Sequence, residues 1–154
     1  IINSRFEKTS FTDVEFGNCN FSNTTFDNCS FIRCEFNNCK LTGCNFIENF
    51  LFDIGFIDSN MGYANISMSN LRGIFFNNTS IRSGSLQENK VKNINFKEAD
   101  LTGTQFFKTS LNGIDLSNSN IDQIAVSLED IKGAKINQMQ AIDLMYLLGV
   151  KVVE

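Results

Sequence analysis

The chain has 154 residues, suited to one domain, and 42% are hydrophobic, enough to bury a core. It holds no His, and its net charge of −4 makes it a poor direct binder of nucleic acid, whose phosphates would repel it. No apolar run reaches the roughly 18 residues of a membrane span, and no basic-then-apolar leader opens the chain, so neither a span nor a signal peptide is expected.

From the first residue a large apolar side chain returns every five positions. Ile1, Phe6, Phe11, Phe16, Phe21, Phe26, Phe31, Phe36, Leu41 and Phe46 begin the series, which continues through Leu51, Phe56 and Met61 to Val126 without a slip. This period matches neither the helix, at about 3.6 residues, nor the alternation of a strand. Two positions before each large residue stands a mostly small one, as at Thr24, Cys29, Cys34, Cys39, Cys44, Ala64 and Ser69. Asn, Asp, Ser, Thr, Gly, Lys and Glu dominate the other positions. The chain opens inside this repeat, so further residues are expected upstream.

Segments such as Cys19-Asn20-Phe21-Ser22-Asn23 and Ala99-Asp100-Leu101-Thr102-Gly103 resemble the pentapeptide-repeat family. The resemblance implies an all-β solenoid: a right-handed quadrilateral β-helix with four pentapeptides per coil and about six coils. Small and large slots would both point inward, over residues 1–136. The sequence carries its own check on that coil. Residues 20 apart should stack, and Val14, Cys34, Ile54, Ile74, Ile94 and Ile114 form an apolar column. Cys29, Asn49, Ser69, Asn89 and Thr109 form a polar one in the same slot, and Phe16, Phe36, Phe56, Phe76 and Phe96 stack in the large slot. The absence of Pro fits coils that pair through backbone N–H groups.

Cys29, Cys34, Cys39 and Cys44 fall on four successive faces of one coil. A zinc site would need all four sulfurs about 2.3 Å from one metal, yet Phe31, Phe36, Leu41 and Phe46 fill that layer. Cys19 and Cys39 should stack about 4.8 Å apart, where a disulfide is conceivable. The favoured reading is free, buried cysteine acting as a small hydrophobe in the reducing cytoplasm, with no metal and no cofactor.

Residues 1–60 are the most acidic part of the chain. Asp13, Glu15, Glu35 and Asp53, with Asp115 further along, fall near the Ile column as a candidate acidic partner-binding surface, which Arg33 interrupts. A solvated face is at least as good a reading. Phe50, Phe52 and Phe75, like Tyr63 and Phe107, fall in outward slots. The first three form a candidate aromatic patch, to be weighed against scattered surface aromatics, which need no explanation.

The repeat frays after Val126, where Glu129 occupies a small inward slot. Asn137, with Gln140 three residues on, has the form of a capping box, predicting a helix over residues 138–148 that stops at Gly149. Val150, Val152 and Val153 read as a short terminal strand. The helix is apolar around most of its circumference. One face would cap the β-helix, leaving Met139, Ile142, Met145, Tyr146 and Leu148 for a homodimer interface. Residues 137–154 are thus cap and interface within the same domain.

The stretch from Leu111 to Val152 resembles the C-terminus of the Qnr-type quinolone-resistance branch. The resemblance rests on Gly113-Ile114-Asp115-Leu116, on Ser127-Leu128-Glu129-Asp130, and on Gln140-Ala141-Ile142-Asp143-Leu144 leading to Leu148-Gly149-Val150. It implies a dimerising helix and a DNA-mimicking protein that binds DNA gyrase and topoisomerase IV and protects them from fluoroquinolones. The two loops that bulge from many Qnr proteins have no counterpart here. DNA carries one charge per ~1.7 Å, hence roughly 18 over a rod of about 30 Å, against −4 here. Mimicry would rest on shape and local acidic corners. The second reading is a scaffold or interaction module with an unrelated partner. Catalysis is not expected, because the carboxylates are dispersed and a filled solenoid offers no large pocket.

Overall fold

The computed structural model describes residues 1–154. Its strands are β1 (Arg5–Glu7), β2 (Ser10–Thr12), β3 (Glu15–Gly17), β4 (Thr25–Asp27), β5 (Ser30–Asn37), β6 (Asn45–Ile47), β7 (Phe50–Ile57), β8 (Asn65–Ser67), β9 (Asn70–Asn77), β10 (Ser85–Gln87) and β11 (Lys90–Lys97). One sheet stacks β1-β4-β6-β8-β10. The other stacks β2-β5-β7-β9-β11, with β3 also on β5. Every pair is parallel and in one register: Phe6 faces Phe26, Phe26 faces Phe46, and Ile54 faces Ile74. Bridges from Asn20 through Lys40, Asn60, Ser80 and Asp100 to Asn120 mark a further face, and Asp115 to Lys135 carries the coil past the last strand. The architecture is the expected right-handed quadrilateral β-helix.

The corners explain the polar slots. Every fifth residue from Asn3 to Gly113 has a positive φ, between 46° and 77°. This left-handed conformation costs an L-residue about 1–2 kcal/mol, least for Asn and Asp. Tyr63, Met68 and Glu98 nevertheless sit there. The coil ladder holds them: the Tyr63 N–H donates to the Arg82 carbonyl at 2.9 Å and the Met68 N–H to the Gln87 carbonyl at 3.2 Å. From Leu101 onward each side of the square closes by a tight turn, as in Thr104 N–H to Leu101 O at 2.9 Å and Thr109 N–H to Phe106 O at 3.1 Å. The long strands end where these turns begin.

The core is a stack of layers. Phe16, Phe36, Phe56, Phe76 and Phe96 form a continuous ladder with ring centroids 4.7, 5.1, 5.1 and 5.1 Å apart. Each fully buried Phe or Leu contributes roughly 1.5–3 kcal/mol, added coil by coil. The small slot also does hydrogen-bonding work between coils. Asn49 accepts from the Cys29 N–H at 2.7 Å and donates to the Phe26 carbonyl at 3.1 Å. Ser69 accepts from Asn49 N–H at 2.9 Å, Asn89 from Ser69 N–H at 3.0 Å, and Thr109 from Asn89 N–H at 3.1 Å. The polar column is therefore a ladder that satisfies buried backbone groups. The cysteines play the donor part: Cys29, Cys34, Cys39 and Cys44 point their thiols at the carbonyls of Phe6, Phe11, Phe16 and Phe21, at 3.5, 3.4, 3.1 and 2.9 Å. All five thiols are free. Burial pushes the Cys44 thiol up to about 12.

The C-terminal end departs from expectation in three places. Where the repeat breaks, a short helix α1 forms over Leu128–Ile131, with the Ser127 hydroxyl accepting from the Asp130 N–H at 3.0 Å. It lifts Glu129 out to solvent, so the acid never enters the inward slot. The single helix expected over 138–148 is two pieces, α2 (Gln138–Asp143) and a tighter 3-10 turn over Leu144–Leu148. At the join the Leu144 N–H is shared between the carbonyls of Gln140 and Ile142, and the tighter winding buries Leu144. The third correction concerns Val150, Val152 and Val153, which lie in no strand and are exposed. Gly149, at φ 70°, turns the chain off the helix as expected, but the segment after it joins neither sheet. The capping box at Asn137 and Gln140 is present in full. Gln140 also donates to the carbonyls of Leu116 and Ser119, both at 2.8 Å, pinning the cap to the last coil.

Candidate functional site

The repeat places each outward side chain by its slot, and the twenty-residue coil decides its neighbours. Asp13 and Asp53 occupy left-handed corners, and Glu15 and Glu35 lie beside them on β3 and β5. These four carboxylates, with Arg33, line one shallow groove floored by Val14, Cys34 and Gly55. Glu15 and Glu35 are cross-strand partners, an arrangement in which like charges repel. Next in that column is Gly55, which leaves the groove open; the Glu35 side chain leans across it. Arg33 is committed to Asp13 through two bonds, Nε to Oδ1 at 2.6 Å and Nη2 to Oδ2 at 2.8 Å. That bond from Arg33 holds the Asp13 carboxyl below its ordinary value. Glu15, Glu35 and Asp53 make no ion pair within the chain. Arg33 thus organises one edge of the acidic surface and leaves the rest uncompensated.

Asp115 does not belong to this groove. It lies in the same column as Glu15 and Glu35, but Gly55, Phe75 and Asn95 intervene, a separation of about 19 Å from Glu35 at the strand spacing. Its own neighbours are Ser117, whose hydroxyl and N–H lower its pKa, and the cross-coil residue Lys135.

The aromatic patch also divides. Phe50 and Phe52 lie on one strand with rings stacked at 6.2 Å and 14°. Arg72, the cross-strand partner of Phe52, lies over that ring at 5.2 Å from its centroid. Phe75 stands on the adjoining side of the square, past the corner at Gly73, half-buried and opposite Gly55. Reading residues singly misses Arg72 and the next coil's Lys90 and Lys92; the twenty-residue column would have found them.

At the C-terminus Met139, Ile142, Tyr146 and Leu148 are exposed, while Met145 is half-buried. The Tyr146 hydroxyl is bonded to the Ile124 carbonyl, so this ring is partly engaged by its own chain. Met145 and Leu148 join Leu128, Ile131, Ile136 and Leu147 in a groove whose lining is wholly apolar. The sequence signal missed there was Ser127-Leu128-Glu129-Asp130, a serine cap with an acid three residues on, which places Leu128 on a helix facing the cap. No three His, Cys, Asp or Glu side chains converge as a metal site.

A family model described as pentapeptide repeat region matches residues 2–86 and 29–106. Among solved structures the chain is similar to a trypsin-treated variant of QnrB1, a plasmid-mediated fluoroquinolone resistance protein. The identity is 18%, over 96% of this chain and 99% of that one, with a TM-score of 0.53. It is also similar to HetL, a pentapeptide repeat protein involved in heterocyst differentiation regulation from the cyanobacterium Nostoc sp. strain PCC 7120, at 15% identity over 88% of this chain and 84% of that one, TM-score 0.34. Rfr23 from the cyanobacterium Cyanothece 51142 matches at 13% identity over 86% and 91%, TM-score 0.37. No curated protein sequence matches the chain. At 18% identity the likeness to QnrB1 is one of fold, and function must be argued from the surface.

Proposed function

The chain belongs to the pentapeptide-repeat family, and from that premise we propose that it is a non-catalytic, DNA-mimicking rod that binds a type II topoisomerase, DNA gyrase or topoisomerase IV, and protects it from fluoroquinolones. The observation that carries this reading is the groove of Asp13, Glu15, Glu35 and Asp53, where Glu15 and Glu35, one coil apart, and Asp53 have no ion-pair partner while Arg33 holds Asp13. Such a row offers a DNA-binding surface a short acidic edge in place of phosphates. The likeness to QnrB1 supports the shape, and the C-terminal resemblance supports the partner. The contact would be local, because the chain's charge falls far short of a duplex. Two copies would join through the apolar C-terminal groove, with Met139, Ile142 and Leu148 adding exposed apolar surface.

The test is a gyrase supercoiling assay with purified protein, with and without a fluoroquinolone, beside a gyrase pull-down. Protection from the drug, or inhibition of supercoiling without it, is expected, and both should fall in a Glu15→Gln/Glu35→Gln/Asp53→Asn variant. Absence of binding and of any effect at high micromolar protein overturns the reading. Sedimentation of the wild type against Leu148→Glu reads the dimer. The second reading, a scaffold for an unrelated partner, draws on the stacked outward pair of exposed Phe50 and half-buried Phe52, which a DNA-like surface does not need.

A further inference from the structure

We propose that the outward side of β7, β9 and β11 is a second docking surface, one that takes an extended acidic protein segment carrying an apolar side chain. Two outward columns run up this side, twenty residues per step. They hold Ser30 and Ile32, then Phe50 and Phe52, Asn70 and Arg72, and Lys90 and Lys92. No carboxylate falls in either column over these four coils. The corner acids Glu48 and Glu88 lie beside Phe50 and Lys90, yet no Lys in the chain forms an ion pair and Arg72 forms none. In a protein of net charge −4, this side concentrates three free cations at one end of an aromatic pair.

The geometry selects the ligand. Ile32 stands next to Phe52 on the preceding coil, so an apolar side chain laid there contacts Ile32, Phe50 and Phe52 together. Lys90 and Lys92 lie two coils on, about 10 Å away at the strand spacing. An extended segment rising about 3.4 Å per residue covers that distance in three residues. A segment lying along the rod axis can therefore seat an apolar side chain on the Phe pair and carboxylates on Arg72, Lys90 and Lys92. Stacked nucleic-acid bases fit less well, because the Phe52 ring is already flanked by Phe50 at 6.2 Å and Arg72 at 5.2 Å. This surface is distinct from the acidic groove, which lies across the Asp53 corner and favours basic partners.

The probe is a fluorescein-labelled synthetic peptide with Glu residues following a Leu, compared with its Gln counterpart by fluorescence anisotropy. Three exposed ion pairs predict about tenfold tighter binding of the Glu peptide, weakening as salt is raised. Arg72→Glu/Lys92→Glu should remove that preference, and Phe52→Ser should lower affinity for both peptides several-fold. Glu15→Gln/Glu35→Gln should leave binding in place, which separates this surface from the topoisomerase reading. Equal binding of the Glu and Gln peptides overturns the proposal. So does binding indifferent to the Arg72, Lys92 and Phe52 changes. Tighter binding of a single-stranded oligonucleotide, lost in the same variants, replaces it with a nucleic-acid surface. Unchanged circular dichroism of each variant ensures that folding is not what is read.

Discussion

Removing the Asn49 side chain should uncouple two buried backbone groups at once. In the folded chain its Oδ1 accepts from the Cys29 N–H at 2.7 Å, and its amide donates to the Phe26 carbonyl at 3.1 Å. Asn49 is 2% exposed, so no solvent replaces either partner. Leaving a buried donor or acceptor unmade costs about 1–3 kcal/mol each; Asn49→Ala should therefore destabilise by about 2–6 kcal/mol. Asn49→Ser is the control. In the same slot two units on, the Ser59 hydroxyl accepts from the Cys39 N–H at 3.0 Å and donates to the Phe36 carbonyl of the preceding coil at 3.1 Å, so a serine can perform both roles at this slot. It should cost about 1 kcal/mol, the scale of a single hydrogen bond made less well. Urea denaturation followed by far-ultraviolet circular dichroism reads both, with the slope checked because repeat arrays can lose cooperativity. If Asn49→Ala stays within about 0.5 kcal/mol of the wild type, or Asn49→Ser costs as much as Asn49→Ala, the ladder is not what holds these coils together.

Tyr63→Asn should stabilise the chain by up to about 1 kcal/mol, since φ there is 59° and Asn tolerates the left-handed region better; thermal melting reads it as a small rise in Tm. Burial raises the Asp100 carboxyl, but hydrogen bonds from the Thr102 hydroxyl and N–H and from Arg82 outweigh it, and the net pKa is lowered. The stabilisation this carries is complete above the unfolded value near 3.8 and is lost as pH falls through the folded one. Asp100→Asn should flatten the acid limb of a Tm-against-pH curve as pH falls below the ordinary carboxylate value; an unchanged limb refutes the assignment. Cys44, with its thiol pushed up to about 12 and no exposure, should resist a thiol reagent at pH 8 until the chain unfolds. Prompt labelling of Cys44 in native protein would show that the core opens.

Much of this molecule was legible in one dimension. A five-residue period and a twenty-residue column are local arithmetic on Phe, Leu and Ile, and they specify the β-helix because a solenoid repeats the same environment at every coil. Asn137, Gln140 and Gly149 were legible for the same reason, since caps are chemistry between residues a few positions apart. The acidic groove is partly legible: the column brings Asp13, Glu15, Glu35 and Asp53 together, whereas Asp115, four coils from Glu35, shares only their slot.

Tertiary structure decided what depends on contacts between coils. That Asn49, Ser69, Asn89 and Thr109 bond across coils, rather than merely being small, follows from their stacking against the backbone of neighbouring turns. That α1 lifts Glu129 to solvent, and that Leu128, Ile136 and Leu148 share one apolar groove, follows from how the cap settles on the last coil. Val150, Val152 and Val153 have the side chains of a strand, but a strand is made by its partner, and after Gly149 the chain meets none. Sequence determined which residues turn inward at each step, because that is a matter of period; the fold decided which of the outward ones meet, because that is a matter of which coil lies next.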